Sequence, residues 1–211
     1  MKTLDWHDNW YPKEEETMNV YLISDTHLNH KQIATYCDRP ADFTERIIKN
    51  WKSTVKPEDL IIHLGDVAIG KKADVEETLK SLPGKKILIR GNHDRQWSNL
   101  RWMSAGFDFA CDGMIFRGCW LTHHPSDALP LGCDLNLHGH LHNIWHGFHP
   151  NDPKAEGKDE SYKTWETKQL KHPWQRLFAI EYTAYKPVNF DSFVSKPEKY
   201  QATGPRKDLT S

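Results

Sequence analysis

Asp, Asn and His side chains, which are common ligands of divalent metal ions, recur in five short clusters of this 211-residue chain. The clusters are Asp25-Thr26-His27, Gly65-Asp66, Gly91-Asn92-His93-Asp94, His123-His124 and Gly139-His140-Leu141-His142. Each cluster follows a short apolar run that is typical of a β-strand. Side chains two residues apart on extended backbone point to the same side, as we expect for Asp25 with His27 and for His140 with His142. The clusters therefore predict one site at five strand ends.

The number of donors predicts two metal ions. The predicted ligands are Asp25, His27, Asp66, Asn92, His123, His140 and His142. Seven ligands are more than a single ion needs. Mixed nitrogen and oxygen donors without thiolate favour Mn, Fe, Zn, Co or Ni over Mg or Ca, and Mn is the ion that we expect first. Asp66 is the predicted bridging ligand because it stands alone in its cluster.

Such a pair of ions indicates hydrolytic chemistry at phosphorus. Two metals about 3.5 to 4 Å apart generate hydroxide near neutral pH and stabilise the attacking and leaving oxygens of an in-line displacement. The leaving alkoxide still needs a proton, for which His93 is the predicted general acid and Asp94 the predicted carboxylate that orients it. The site therefore predicts a phosphoesterase that cleaves phosphodiester or phosphomonoester bonds by attack of metal-activated hydroxide.

The elements that would position these clusters alternate between strand and helix in the first half of the chain. Apolar periodicity predicts strands at 20–24, 60–64 and 86–90 and helices at 42–55, with Asp42 as its cap, and at 73–82. This alternation favours a largely parallel sheet with its site at the carboxyl ends of the strands. After residue 106 we predict strands at 107–111, 114–116, 118–122, 134–138, 177–182 and 187–193. The first three of these are predicted to be antiparallel, with a hairpin at Asp112-Gly113.

In their order, the five clusters resemble those of the calcineurin-like metallophosphoesterases, in particular the small single-domain bacterial and phage type. The resemblance covers residues 18–195 and includes Glu181 and the segment 185–188. It implies an α/β fold, a four-layer α/β/β/α sandwich of two mixed β-sheets flanked by helices. It also implies one metal held by Asp25, His27, Asp66 and His142, the other held by Asp66, Asn92, His123 and His140, and His93 as the acid.

Three further side chains are candidate substrate contacts. Either His123 or His124 could be the metal ligand; the resemblance favours His123, which would leave His124 to face the substrate. His30 follows the first cluster closely enough to reach the same site. Arg39 has a guanidinium group suited to phosphate, although a structural ion pair is the interpretation that we favour for this residue.

Composition restricts the partners and the location of the protein. Because 28 basic and 29 acidic residues give a net charge of -1, the charge does not indicate nucleic acid or an anionic membrane as a partner. A phosphoester substrate such as a nucleotide is the expected partner. No stretch of the sequence is apolar enough for a signal peptide or a membrane span, so we expect a cytoplasmic protein with four reduced cysteines. The expected organisation is an extension at 1–17, a domain at 18–195 with a surface loop at 146–173, and a tail at 196–211.

Two other functions remain open from the sequence. A nuclease or a nucleic-acid end-processing phosphatase would use the same metal chemistry, but the near-neutral charge weighs against it. A non-catalytic, metal-stabilised binding module would need the ligands alone, and the adjacent His93 and Asp94 favour an enzyme instead.

Overall fold

The computed structural model describes residues 18–143, 170–196 and 199–200, in which strands and helices alternate over the first half as predicted. In chain order the elements are β1 (Val20–Ile23), α1 (Lys31–Tyr36), α2 (Phe43–Thr54), β2 (Leu60–His63), α3 (Lys72–Ser81), β3 (Lys85–Ile89), a 3₁₀ helix (His93–Gln96), α4 (Asn99–Ala105), β4 (Phe109–Cys111), β5 (Gly113–Phe116), β6 (Cys119–Thr122), β7 (Leu135–His138), β8 (Gln175–Leu177), a second 3₁₀ helix (Ile180–Thr183), β9 (Val188–Asn189) and α5 (Phe190–Ser195).

Two mixed sheets, flanked by helices, share one hydrophobic core. The first has the strand order β4-β3-β2-β1-β9, in which only β9 is antiparallel to its neighbour. The second has the order β5-β6-β7-β8, in which β5 is antiparallel and the others are parallel. Fully buried Leu22 and Ile62 of the first sheet and Leu121 and Leu137 of the second belong to the same core cluster. The architecture is the predicted α/β sandwich.

Helix α2 shows how the outer layer is held to the sheets. Its residues Phe43, Ile47 and Trp51 recur at intervals of four, so they form one buried face. The Trp51 indole N–H also donates to the Pro83 carbonyl at 3.0 Å. Asp42 precedes the helix as predicted but does not cap it with its side chain; its carboxylate instead pairs with Arg46 one turn later.

The predicted hairpin at Asp112-Gly113 is wrong. Strand β4 pairs in parallel with β3 in the first sheet, whereas β5 begins the second sheet. Helix α4, which the strand pattern did not reveal, provides the crossover that a parallel neighbour requires. The Ser98 hydroxyl caps this helix by accepting the Arg101 N–H, and the helix ends at Gly106. Of the three strands predicted to be antiparallel, β5 and β6 do pair in this way.

The two strands predicted near the end of the chain are also corrected. The 177–182 segment contributes only the last residue of β8 and then turns into the second 3₁₀ helix. In the 187–193 segment, the two-residue strand β9 leads directly into α5. Phe190 and Phe193 are both buried on one face of α5, and the Asn189 side chain caps it by accepting the Ser192 N–H at 3.0 Å. The strand predicted at 187–193 is therefore wrong beyond Asn189, because Phe190 and Phe193 are spaced to share one face of a helix.

Parts of the predicted organisation lie outside the described residues, namely the 1–17 extension, most of the 146–173 loop and most of the 196–211 tail. Tyr200 of the predicted tail packs on Phe193, with ring centroids 5.6 Å apart, and its hydroxyl lies 2.8 Å from that of Ser192. All four cysteines are free thiols. Within the described ranges, no helix combines the length and apolar character that crossing a membrane requires.

Candidate metal centre

The five predicted clusters meet at the carboxyl ends of β1, β2, β3, β6 and β7, and Asp66 lies at their centre. Its Oδ1 accepts the backbone N–H of His93 at 2.9 Å. Its Oδ2 lies 3.5 Å from Nε2 of His27 and 3.4 Å from Nε2 of His123. One carboxylate oxygen is thus fixed by the backbone, while the other faces imidazoles from both predicted ligand sets.

On the first side of Asp66 lie Asp25, His27 and His142, whose ligand atoms are all within 4.8 Å of one another. The Asp25 carboxylate accepts the Ser24 hydroxyl at 2.5 Å and the His140 backbone N–H at 3.0 and 3.1 Å. Nε2 of His142 is 3.7 Å from Asp25 Oδ1. The structure therefore brings together the four side chains of the predicted first set.

On the second side, His123 is buried and its Nε2 approaches both Asp66 and Asn92. The distance from this nitrogen to Asn92 Oδ1 is 3.0 Å. Nδ1 of His123 lies 2.8 Å from the Leu64 carbonyl, an acceptor only, so this nitrogen carries a proton. Nε2 is therefore the nitrogen that would bind an ion, after losing its own proton. The His140 ring is 5.1 Å from that of His123 between centroids. His124 is exposed and lies beside both rings.

Backbone geometry at these positions differs from the expected extended chain. Five of the predicted ligands have left-handed φ values: Asp25 (51°), His27 (42°), Asp66 (58°), His140 (70°) and His142 (51°). Paired side chains therefore converge through tight turns and not through the alternation of a strand. Such conformations cost on the order of 1 kcal/mol or more each and are concentrated at functional sites.

Two of the glycines that precede predicted ligands allow very close backbone approach. A Cβ atom on Gly91 would lie 2.1 Å from Asp66 Oδ1, and one on Gly139 would lie 2.2 Å from Asp25 Oδ2. Any side chain at either position would displace a central carboxylate. Glycine is therefore required at both positions by the packing of the ligand loops against each other.

The electrostatics of the cluster fit divalent ions. Burial lowers the pKa of His27 well below its usual value, and its two buried ring nitrogens make no hydrogen bond within the described part of the chain. Burial also opposes protonation of His123, but its hydrogen bond to Asp66 and the charge of Asp25 raise its pKa to about 9. Buried carboxylates require a nearby positive charge. A protonated imidazole supplies that charge here, and a bound metal ion would supply it in its place. Neutral His27 is suited to coordinate such an ion.

His93 lies at the open side of the cluster, with 45% of its side chain exposed and its Nε2 4.0 Å from Asp66 Oδ2. The predicted contact with Asp94 is corrected. Asp94 is buried, and its two oxygens accept the backbone N–H groups of Asp66, Val67 and Gly91 at 2.7 to 3.0 Å. Consecutive residues of the 3₁₀ helix point in different directions, so Asp94 holds the loops while the carboxylate beside His93 is that of Asp66.

The guanidinium of Arg39 is buried and forms the favoured ion pair, so the geometry lends no support to the candidate phosphate contact. Its buried guanidinium pairs with Glu181 at 2.7 Å and donates to the carbonyls of Asp25 and Thr26. Glu181 Oε1 in turn lies 3.3 Å from Nδ1 of His142. Sequence reasoning gave Glu181 no role, because its partner is 142 residues away. The structural ion pair is the interpretation that the geometry supports.

The remaining candidate, His30, belongs to the cluster of imidazoles at the cleft. Its ring centroid lies 5.4 Å from that of His27 and 6.2 Å from that of His93. It is therefore placed where a substrate group near His93 would be in reach, and its role as a substrate contact stays a prediction.

Comparisons with known proteins agree with this geometry. The chain matches the family model described as calcineurin-like phosphoesterase over residues 18–200. It is 31% identical to the uncharacterized protein MJ1445 of Methanocaldococcus jannaschii, over 90% of this chain and 97% of that protein. It is 36% identical to the Gene 66 protein of Mycobacterium phage D29, over 51% of this chain and 64% of that protein. A protein of unknown function from Aquifex aeolicus, AQ665, has a similar solved structure, with a TM-score of 0.58 and 25% identity over 84% of this chain and 98% of that one. The chain belongs to the calcineurin-like phosphoesterase family.

Proposed function

We propose that the protein is a dinuclear metal-dependent phosphoesterase that hydrolyses phosphodiester or phosphomonoester bonds. The observation that carries this proposal is the position of Asp66 Oδ2 between the two ligand sets. It lies 3.5 Å from Nε2 of His27 in the first set and 3.4 Å from Nε2 of His123 in the second. A carboxylate that bridges two ions must lie between their ligands in this way. Asp25, His27, Asp66 and His142 would hold one ion, and Asp66, Asn92, His123 and His140 would hold the other.

The protein's own residues would align the ions and deliver a proton. Divalent ions, when bound, would supply hydroxide near neutral pH and neutralise charge on the phosphoryl group. As the bond from phosphorus to the leaving oxygen breaks, the alkoxide would take the proton from Nε2 of His93. The half-exposed imidazole of His93 is suited to this role because it lies at the mouth of the site beside the central carboxylate.

Reconstitution of metal-free protein with Mn or Zn tests the proposal, with p-nitrophenyl phosphate, bis-p-nitrophenyl phosphate and labelled DNA and RNA as substrates. Wild-type protein is expected to hold two ions and to hydrolyse at least one phosphoester class. Asp66→Asn is expected to lose both ions and activity, whereas His93→Asn should keep both ions and lose activity by about 10² to 10⁴-fold.

His172→Gln is the control, since His172 is not a candidate ligand and its ring stacks on that of Trp174, with ring centroids 4.2 Å apart. Wild-type protein that holds two ions yet cleaves none of these substrates would contradict the proposal. Full activity of His93→Asn would remove the assigned acid. Cleavage confined to nucleic acid would favour the nuclease alternative.

A further inference from the structure

His124 lies in a group of three imidazoles at the exposed side of the second metal position. Nitrogen atoms of His123, His124 and His140 are all within 4.8 Å of one another. The His124 ring is 3.9 Å from that of His140 and 5.0 Å from that of His123, measured between centroids. The three rings therefore present their nitrogens to one small volume.

The local backbone explains how two consecutive histidines reach the same volume. Neighbouring side chains on a strand point to opposite faces, but β6 ends at Thr122, immediately before the pair. The Thr122 hydroxyl then donates to the His124 carbonyl at 2.6 Å, which closes a tight bend. In this bend both rings turn toward His140.

We propose that His124 is a third imidazole ligand at the second metal position, together with His123 and His140. This donor set would make the second position select zinc over Mn. The inference rests on the proposed dinuclear site. Three imidazoles form a known donor set for zinc, whereas carboxylates suit Mn better. The first position has two carboxylates, Asp25 and Asp66, and two imidazoles. The second position shares Asp66 as its one carboxylate and with His124 would have three imidazoles, so the two positions differ in donor chemistry.

Competition between metals provides the test. Metal-free protein is dialysed against Mn in large excess over Zn, because zinc binds most nitrogen and oxygen sites more tightly than Mn, and bound metals are counted by mass spectrometry. Wild-type protein is expected to retain one zinc ion per chain in preference to Mn. His124→Gln is expected to weaken zinc binding at one position by at least about tenfold and to exchange that zinc for Mn. Absorption bands of bound Co should change in the same variant, since the ligand number changes.

His172→Gln is the matched control and should keep the wild-type metal content and Co spectrum. Because His124 is exposed, its replacement should leave the thermal unfolding of the metal-free protein unchanged. A His124→Gln variant with wild-type zinc content and Co spectrum overturns the inference but leaves the proposed dinuclear site intact. If only the KM of that variant changes, His124 is a substrate contact. Wild-type protein that binds fewer than two ions would contradict the proposed function as well.

Discussion

At the scale of single residues, Asp94 ties two ligand loops together through the backbone. Its Oδ2 accepts the N–H groups of Asp66 and Gly91 at 2.7 and 2.8 Å, and its Oδ1 accepts that of Val67 at 3.0 Å. Burial raises the pKa of this carboxyl, and the N–H groups of Val67 and Gly91 oppose the rise. The position of the central carboxylate therefore depends on a residue that does not face the cleft.

Asp94→Asn tests this dependence. The amide nitrogen of Asn cannot accept, so at least one buried N–H loses its partner, at a cost of about 1 to 3 kcal/mol in the free energy of unfolding. We expect lower stability in urea together with weaker metal binding measured by calorimetry. Asp112→Asn is the control, because Asp112 forms an exposed pair with Arg90 and should change stability little. Unchanged stability and metal affinity in Asp94→Asn would refute the role.

At the scale of elements, the Arg39–Glu181 pair joins three segments around the proposed first metal position. Arg39 follows α1, Glu181 lies in the second 3₁₀ helix, and both contact His142 in the loop after β7. Nδ1 of His142 lies 3.3 Å from Glu181 Oε1 and 3.2 Å from Arg39 Nη2. In the tautomer with a proton on Nδ1, Glu181 accepts that proton and Nε2 is left directed at Asp25. The pair therefore orients a predicted ligand and also stabilises the loop that carries Asp25.

Single and double substitutions separate these two effects. Glu181→Gln leaves the buried guanidinium without its counter-charge, so the free energy of unfolding should fall by about 3 to 5 kcal/mol. The double variant Arg39→Met, Glu181→Leu removes both charges and should recover much of that stability. Metal affinity at the first position should stay about 10 to 100-fold low, because His142 still lacks its acceptor. Calorimetric recovery of both properties in the double variant would show that the pair is only structural.

Local patterns in the sequence predict where the candidate ligands lie, but they do not predict long-range contacts such as the Arg39–Glu181 pair. The convergence of the candidate ligands was predictable because an apolar strand followed by glycine and a donor is a local pattern, as in Gly91-Asn92. The pairing of Arg39 with Glu181 could not be predicted, since a contact between residues far apart in the sequence produces no local periodicity. The left-handed turns at Asp25 and His142 were missed because non-glycine residues rarely adopt them without tertiary constraint. Helix α5 was missed because two Phe residues suit either element.

At the scale of the whole molecule, buried neutral histidines couple folding to pH. His63, in β2, is fully buried; its Nδ1 accepts the Gly65 N–H at 3.1 Å. Its Nε2 lies 2.9 Å from the Thr26 hydroxyl, which donates to the Val67 carbonyl. This chain of hydrogen bonds joins the loops after β1 and β2. Burial lowers the pKa of His63 to about 3.

His63→Gln is therefore expected to change how stability depends on pH. Between about pH 3 and 6.5 the unfolded chain binds a proton at His63 that the folded protein excludes, so acid lowers stability by about 1.4 kcal/mol per pH unit from this residue. Glutamine cannot take up that proton, so the slope of unfolding free energy between pH 4.5 and 6 should decrease by that amount. Urea unfolding with chelator present measures both slopes without metal binding, and His172→Gln should match wild type. Equal slopes in wild type and His63→Gln would mean that His63 is protonated in the folded state.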